Sequence, residues 1–277
     1  EPQRCIANNS AVYLQKPTNT EFLDEWISLM KSGSGERGIF NRGGLAQTLP
    51  ERRLKLLREN GDVIGDKITG MLGTNPCAEI ILQSKQFCNL SEVVARDGDT
   101  AETLKRKIRV AAILGTYQST LTHFPYLSDG WRHNCEQERL LGVSITGQWD
   151  CDIARQPETL EMLRDYTLTV NVEYAKRFGV RASSCVTCVK PSGTVSQTVD
   201  CSSGMHPRHA KYYIRRIRIA ATDALFKMLK DQGYPYYPEV GQSEEDATTF
   251  VLEFPVKAPD HAVVKNDLTA LDQLAHW

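Results

Sequence analysis

The chain has 277 residues, of which 41% are hydrophobic and 24% charged, and 33 Lys and Arg side chains nearly balance 34 Asp and Glu. These values are typical of a globular protein with its own core. A net charge of -1 leaves no excess of basic residues for binding duplex nucleic acid, and the longest apolar runs are too short to span a membrane. We therefore expect neither a nucleic acid polymer nor a membrane among its partners.

Eight cysteines are too few, in a chain of this length, to form a disulfide scaffold. The first residues also contain no apolar stretch typical of a secretory signal. We therefore expect a cytoplasmic protein whose thiols are free, and each Cys has to be considered for a structural, metal-binding or catalytic role.

Hydrophobic spacing and capping residues predict alternating helices and strands along the chain. Helices are expected over residues 20–30, 50–60, 99–121, 156–178, 222–230 and 268–275. Strands are expected over residues 140–145, 183–189, 212–220 and 248–256. Strands separated by long helices are typical of parallel α/β architecture, either a barrel or an open sheet.

The predicted helix over 99–121 has a defined start and a defined inner face. Asp99 is the expected N-cap, because its carboxylate can accept hydrogen bonds from the first turn. Helical spacing places four apolar side chains on the face expected to point inward: Leu104, Ile108, Ala111 and Leu114.

Three chemically active side chains alternate within residues 73–80. Pro76 disfavours helix at Asn75 and favours an extended backbone, in which Asn75, Cys77 and Glu79 share one face. An amide, a thiol and a carboxylate could then reach one small ligand, and Cys88 adds a second thiol nearby in sequence. The alternative is a turn with a polar face and a buried Cys, and spacing alone does not identify the chemistry.

Small hydroxyl residues surround Gly193 in the segment Lys-Pro-Ser-Gly-Thr-Val-Ser, residues 190–196. Such a loop after a strand can hold phosphate with its backbone N–H groups and hydroxyls. The Gly-Lys signature of a P-loop is absent. Considered alone, the segment is better interpreted as an ordinary strand-to-loop turn.

A second class of function, a structural zinc module, is suggested by four side chains: Cys185, Cys188, His206 and His209. Two features disfavour it. Residues three apart on a strand face opposite sides, and the segment lacks the Gly-containing turn that usually carries a zinc-binding Cys pair.

The segment Asn-Pro-Cys-Ala-Glu-Ile at residues 75–80, followed by Cys-Asn-Leu at 88–90, resembles the finger loop of ribonucleotide reductases. The resemblance is nearest to the adenosylcobalamin-dependent (class II), monomeric ribonucleoside triphosphate reductases. Segments 6–10, 34–40, 141–147 and 190–196 are similar to segments of that group in the same order. Members of the family more often carry Gly where this chain has Ala78.

The resemblance implies a fold as well. Residues 1–277 would form part of the ten-stranded α/β barrel of ribonucleotide reductases, with a central finger loop at about 73–80. A phosphate loop would lie at about 190–196, and a region contacting cobalamin at about 233–277.

By the same resemblance, the site would reduce ribonucleoside triphosphates to deoxyribonucleotides. A thiyl radical on Cys77 would abstract the 3′ hydrogen of the ribose, with adenosylcobalamin as the radical-generating cofactor. Glu79 would take the 3′-hydroxyl proton, and Asn75 would hold the sugar hydroxyls. Cys88 would be one of two thiols that reduce the 2′ position and end as a disulfide.

Two further sets of residues follow from the resemblance. The substrate phosphates would be bound by Ser192, Gly193, Thr194, Val195 and Ser196. One side of the corrin would be contacted by Tyr234, Tyr236 and Tyr237, whose rings suit a flat, largely apolar macrocycle.

The family's second reducing Cys lies far upstream of the finger loop, and Cys5 is not assigned to that role. The Cys pair that accepts electrons from thioredoxin or a similar reductant is not found either. We therefore expect an internal fragment or one piece of a split enzyme, which would work with complementary segments. A catalytically silent fragment with the same fold is a further alternative.

Overall fold

The computed structural model describes residues 9–33 and 37–277, so the predicted similarity at 6–8 and 34–36, and Cys5, lie outside the described residues. The chain divides into two compact units, one ending at Met205 and one from His206 to Trp277.

The first unit mixes short strands with longer helices. In chain order its elements are β1 (Asn9–Tyr13), α1 (Asn19–Ser32), β2 (Arg37–Asn41), α2 (Leu45–Thr48), α3 (Glu51–Glu59), β3 (Val63–Ile64), β4 (Lys67–Ile68), β5 (Leu72–Thr74), β6 (Ile81–Gln83), β7 (Asn89–Val94), α4 (Ala101–Gln118), α5 (Asp129–Glu138), β8 (Leu141–Thr146), α6 (Pro157–Phe178) and α7 (Gly193–Thr198).

The centre of this unit is the parallel pair formed by β7 and β8, in register from Asn89 opposite Leu141 to Val94 opposite Thr146. All six residues of β8 are buried, as expected for a strand covered on both faces. Helices α4 and α6 pack together and against this pair. Their shared core contains Leu104, Ile108, Leu141, Val143, Leu163 and Val170. This core fixes the position of the strand ends that carry the candidate site.

The mixed α/β class predicted from the sequence is confirmed, whereas the ten-stranded barrel is not found in the described residues. Closure requires every strand to pair on both sides. Within residues 9–33 and 37–277 the first unit forms four two-stranded sheets, β1 with β2, β3 with β4, β5 with β6, and β7 with β8. The strands are too short and too separate to form a closed barrel there.

The predicted strand over 183–189 is largely wrong. Thr187 forms a single parallel bridge to Val143. Three backbone hydrogen bonds, two from β8 to the carbonyls of Cys185 and Val186 and one from Cys188 to Val143, keep the segment beside β8. The backbone-to-backbone hydrogen bonds to β8 end at Cys188, and the chain then turns into α7.

The N-cap residue and the buried face of helix α4 differ from those predicted. Thr100, and not Asp99, is the N-cap, since its side chain accepts a hydrogen bond from the Thr103 backbone. Asp99 instead accepts hydrogen bonds from Lys107 and Thr103. Three of the four predicted inner residues are buried, but Leu114 is 58% exposed.

Helix α1 is confirmed and ends at Gly33, whose left-handed backbone closes the last turn. None of its side chains is buried. Its large apolar residues are therefore solvent-exposed in the described structure: Phe22, Leu23, Trp26, Ile27 and Met30.

The second unit contains β9 (Tyr212–Ala220), α8 (Ala224–Asp231), β10 (Tyr236–Pro238), β11 (Thr249–Lys257) and α9 (Ala270–His276). The strands form an antiparallel sheet in the order β10, β11, β9. Phe226 of α8 stacks on Phe250 of β11 at 4.6 Å and closes a small aromatic core. No helix in the described part of either unit has the length and apolar character that crossing a bilayer requires.

Candidate active site

Residues 75–80 form the tight loop of the hairpin made by β5 and β6. Asn75 closes this loop with both its backbone and its side chain: its N–H donates to the Ile80 carbonyl, and its Oδ1 accepts from the Ile80 N–H, each at 3.1 Å. The Ala78 N–H donates to the Asn75 carbonyl at 3.0 Å. The predicted extended conformation is therefore wrong. Asn followed by Pro favours the first two positions of a β-turn, and that local preference determines the conformation.

Ala78 occupies a left-handed backbone conformation, with a φ of 63°. An L-residue with a Cβ pays about 1 to 2 kcal/mol for this conformation, whereas Gly does not. Ala78 is therefore a strained feature of the loop.

The Glu79 carboxylate forms an ion pair with Lys190, with Oε1 3.0 Å from Nζ, and only 6% of the Glu79 side chain is exposed. Burial by itself would raise the pKa of Glu79. The hydrogen bond from Lys190 opposes it, together with weaker contributions from its own backbone and from Asn75, and the pKa of Glu79 falls below its usual value. This carboxylate is therefore held in its ionised form.

Lys190 also joins Glu79 to Cys77. Its Nζ lies 4.0 Å from the Cys77 sulfur, close enough to donate a weak hydrogen bond, and the Cys77 thiol is exposed. The Lys190 backbone N–H donates to the buried Ser144 Oγ on β8 at 3.0 Å. Lys190, whose backbone is bonded to β8, therefore links the loop to the central sheet through its ammonium group.

Cys88 lies one residue before β7. Its sulfur and that of Cys188 both point toward Gly142 of β8. Burial, followed by the charge of Cys188, raises the pKa of Cys88. Burial, followed by the charge of Glu79, raises the pKa of Cys188 to about 12. Both groups are therefore neutral thiols at physiological pH.

The segment expected to bind phosphate turns sharply into α7. Ser192 has a φ of 66° and is buried, and its Oγ donates to Glu92 Oε2 at 3.0 Å. Ser196 is fully buried and donates to the Gly193 carbonyl. The three residues between them, Gly193, Thr194 and Val195, are exposed. Burial raises the pKa of Glu92, and the Ser192 hydroxyl and Lys190 oppose that shift.

A buried ion pair supports the segment that leads to Cys88. The Arg53 guanidinium of α3 donates to both carboxylate oxygens of Glu138 at 2.8 Å, and Gln86 donates to Glu138 Oε2 at 2.7 Å. Arg53 and Glu138 are 2% and 0% exposed. Buried charges are stable only when fully paired, so these contacts fix residues 83–88 against α5.

The three tyrosines expected to contact a corrin lie in the second unit. Tyr234 stacks on Phe254 and donates its hydroxyl to the Glu253 carbonyl at 2.8 Å. Tyr236 packs edge-on against Phe226 at 5.4 Å. Tyr237 is 54% exposed, so it alone of the three presents most of its ring to an external ligand.

Sequence reasoning missed Lys190, Glu92 and the location of Cys188. The signal for Lys190 was its place immediately after the segment beside β8 and before the Pro-Ser-Gly turn, where a parallel strand delivers side chains to a site. The zinc interpretation receives no structural support: among the side chains in residues 9–33 and 37–277, no group of three or more potential ligands is arranged to hold a metal.

The chain is similar to several known proteins over most of its length. An adenosylcobalamin-dependent ribonucleoside-triphosphate reductase from Lactobacillus acidophilus is 31% identical over 301 residues, covering 96% of this chain and 37% of the relative. The protein of that name from Euglena gracilis is 30% identical over 212 residues, covering 74% and 28%. A crystal structure of a B12-dependent (class II) ribonucleotide reductase superimposes with a TM-score of 0.61 at 21% identity, covering 96% of this chain and 44% of the other. No family model matches the chain.

The identity to these relatives over most of this chain, together with the shared fold, shows that the chain belongs to the ribonucleotide reductase family. Within that family it belongs with the adenosylcobalamin-dependent, class II reductases. It spans between 28% and 37% of the length of these two curated relatives.

Proposed function

We propose that this chain carries the reducing site of a ribonucleotide reductase that converts ribonucleoside triphosphates to 2′-deoxyribonucleotides by a thiyl-radical mechanism. The observation that carries the proposal is the contact of Lys190 with both Glu79 and Cys77. This contact brings together a hydrogen-abstracting thiol and a proton-accepting carboxylate, the two groups that the reaction requires on one face of a ribose.

Cys77 is the proposed hydrogen-abstracting residue. Its thiol is exposed at the tip of the hairpin loop, so both a substrate and a radical-generating group can approach it. Adenosylcobalamin, when bound, supplies the one-electron oxidation that this thiol requires. Among the three tyrosines proposed to contact the corrin, Tyr237 has the most exposed side chain.

Glu79 is the proposed general base for the 3′ hydroxyl. Its lowered pKa keeps the carboxylate able to accept a proton at neutral pH. Lys190 holds the carboxylate in one orientation, and its charge compensates that of the carboxylate before the proton moves. Asn75, whose Oδ1 is engaged by the Ile80 N–H, offers its amide Nδ2 group to the sugar hydroxyls.

The substrate phosphates are proposed to lie over residues 192–196. Gly193, Thr194 and Val195 are exposed at the start of α7. The Gly193 and Val195 N–H groups donate to the Pro191 and Ser192 carbonyls, so the Thr194 N–H and hydroxyl are the groups proposed to bind phosphate. Ser192 and Ser196 have their hydroxyls bonded within the protein. Their proposed role is therefore to shape the turn, with the phosphates lying over the three exposed residues.

The electrons are proposed to reach the site through Cys88 and a second thiol, with thioredoxin or a similar dithiol as the external reductant and complementary segments completing the enzyme. The test is formation of deoxyribonucleotide from ATP or CTP, with adenosylcobalamin and a dithiol, by this chain alone and after mixing with complementary segments. Product that is lost in a Cys77→Ser variant supports the proposal. Absence of product in both preparations, with a folded chain, favours the catalytically silent fragment.

A further inference from the structure

Strand β9 is one edge of the three-stranded sheet in the second unit. In the described part of the chain it pairs only with β11, in continuous register from Tyr212 opposite Lys257 to Ala220 opposite Thr249. Edge strands in natural proteins are protected from further pairing by short length, proline or a bulge. The other edge, β10, has three residues and ends at Pro238, whereas β9 has nine residues and no proline. β9 therefore offers a long, regular edge to another strand.

The hydrogen bonds at the two ends of the β9–β11 ladder show which backbone groups face this open edge. The Ala221 N–H donates to the Thr248 carbonyl at 2.9 Å, and the Ala258 N–H donates to the Lys211 carbonyl at 2.8 Å. Because hydrogen-bonded and non-hydrogen-bonded pairs alternate between antiparallel strands, the odd-numbered residues of β9 bond to β11. The even-numbered residues turn their N–H and C=O groups outward, and four of them have no backbone partner for these groups among the described residues: Tyr212, Ile214, Arg216 and Arg218.

The same four residues present exposed side chains on one face of the sheet. Tyr212 is 71% exposed and Ile214 is 49% exposed, and the side chains of Arg216 and Arg218 are 68% and 69% exposed. Tyr212 and Ile214 also border a cavity of about 410 Å³, together with Pro255 and its neighbours on β11. A strand added to this edge would therefore meet apolar surface at one end and two guanidinium groups at the other.

The charge of the edge favours an acidic partner. Arg216 donates its Nε–H to Glu253 at 2.7 Å, and Arg218 donates its Nε–H to Glu239. A guanidinium has five N–H groups, so each of these arginines keeps most of its donors for another acceptor. β9 contains three arginines and no carboxylate. A second copy of β9 would add three more arginines to the edge, so charge disfavours self-pairing and favours a strand that carries carboxylates.

We propose that the open edge of β9 binds an extended acidic segment of another polypeptide as a fourth, antiparallel strand. The main chain of this segment bonds to the outward N–H and C=O groups of β9, since antiparallel pairing is the more stable arrangement. Alternate side chains of the segment share the exposed face of the sheet. Two carboxylates pair with Arg218 and Arg216, and two apolar side chains lie against Ile214 and Tyr212 at the cavity. This binding is independent of the reaction proposed above.

A peptide designed for this register tests the proposal on the purified full chain. The sequence Glu-Thr-Glu-Thr-Val-Thr-Leu, capped at both ends and carrying fluorescein on a linker, places its carboxylates opposite Arg218 and Arg216. We expect saturable binding by fluorescence anisotropy, and binding weaker by at least about tenfold when Lys replaces both Glu residues of the peptide. Equal affinity for the two peptides, or no binding of the acidic one, overturns the proposal.

Methylation of the peptide backbone separates strand pairing from attraction between charges. In the proposed register the N–H groups of the third and fifth peptide residues donate to the carbonyls of Arg216 and Ile214, whereas those of the fourth and sixth point away from β9. Methylating the third and fifth N–H groups should weaken binding about tenfold or more, and methylating the fourth and sixth should change it by less than about threefold. Equal effects would show that charge alone holds the peptide and would overturn the added strand.

Charge reversal on the protein locates the binding edge. Arg216→Glu should weaken binding of the acidic peptide about tenfold or more and strengthen binding of the Lys peptide. Lys227→Glu, at an exposed position on α8, makes the same change in net charge and should change both affinities by less than about twofold. Circular dichroism establishes that both variants fold. Equal effects of the two variants overturn the assignment to β9.

Two other occupants give distinct results. Tighter binding of the reversed peptide, Leu-Thr-Val-Thr-Glu-Thr-Glu, would indicate a parallel strand and overturn the proposed orientation. In sedimentation without peptide we expect no association of the chain through β9. A dimer that the acidic peptide dissociates would show that a second copy occupies the edge, and it would overturn the proposal.

Discussion

Lys190 and Glu79 form an ion pair of 3.0 Å across 111 residues of sequence, and this pair joins the β5–β6 hairpin loop to the central sheet. Its partners have opposite environments: the carboxylate is almost fully buried, and the ammonium is about a third exposed, with 29% of its side chain accessible. The pair therefore determines both where the loop lies and the charge state of the proposed base.

Replacing Lys190 by Ala is expected to raise the pKa of Glu79, because burial then acts without the opposing ammonium. A base that is active as its anion loses activity as the pH falls through its pKa, so the acid limb of the pH-rate profile should move to higher pH. Lys190→Arg, which keeps the charge, is the control. An acid limb that stays in place in Lys190→Ala would show that the ion pair does not tune this carboxylate.

Ala78→Gly should stabilise the first unit by about 1 kcal/mol, since Gly adopts the left-handed conformation without the Cβ clash. The matched control is Ala101→Gly at the first position of α4, which should lower the free energy of unfolding by up to about 1 kcal/mol. Denaturant unfolding followed by circular dichroism measures both. Destabilisation by Ala78→Gly would contradict the strained conformation.

Removing the buried carboxylate in Glu138→Ala should cost about 3 to 5 kcal/mol, because it leaves the Arg53 charge buried without its partner. The exposed ion pair between Arg58 and Glu51 provides the comparison, and Glu51→Ala should cost less than about 1 kcal/mol. Since Gln86 also loses its acceptor, alkylation of the nearby Cys88 should become faster in Glu138→Ala. Equal losses of stability in Glu138→Ala and Glu51→Ala would contradict the supporting role of the Arg53–Glu138 pair.

Tyr237→Ala is expected to weaken cobalamin binding by the reassembled enzyme about tenfold or less, through loss of one exposed aromatic contact. Tyr236→Ala should instead lower the stability of the second unit, since its ring packs against Phe226 and Phe250. Spectroscopic titration with cobalamin and thermal unfolding distinguish the two effects. Unchanged affinity in Tyr237→Ala, with Tyr212→Ala as the exposed control, would remove this segment from the corrin site.

The sequence predicted the regular elements well because their signals are local. The helix ending before Gly179 and the strand over 212–220 follow from capping and alternation. The sequence-based predictions failed where contacts with residues distant in sequence determine burial or strand pairing. Leu114 has the right spacing for the core but is exposed, and residues 183–189 have an apolar pattern but only one bridge.

The candidate site shows the same difference between local features, which the sequence signals, and contacts in space, which it does not. The resemblance singled out the residues of the loop as candidates. The argument from spacing that grouped them, an extended backbone, was wrong, because residues 75–80 form a turn closed by Asn75. The contact of Lys190 with this loop and the convergence of Cys88 with Cys188 join residues about a hundred positions apart. Such contacts depend on the path of the chain and have no signal in local spacing.

Release of tritium from a ribonucleoside triphosphate labelled at the 3′ position tests the central claim most directly, because hydrogen abstraction by Cys77 is the step on which the proposed chemistry depends. The reassembled enzyme with adenosylcobalamin and a dithiol should release tritium to water. Release should disappear in Cys77→Ser and persist in Cys135→Ser, a buried thiol on α5 away from the loop. Tritium release that survives Cys77→Ser, in a variant that remains folded, would contradict the account.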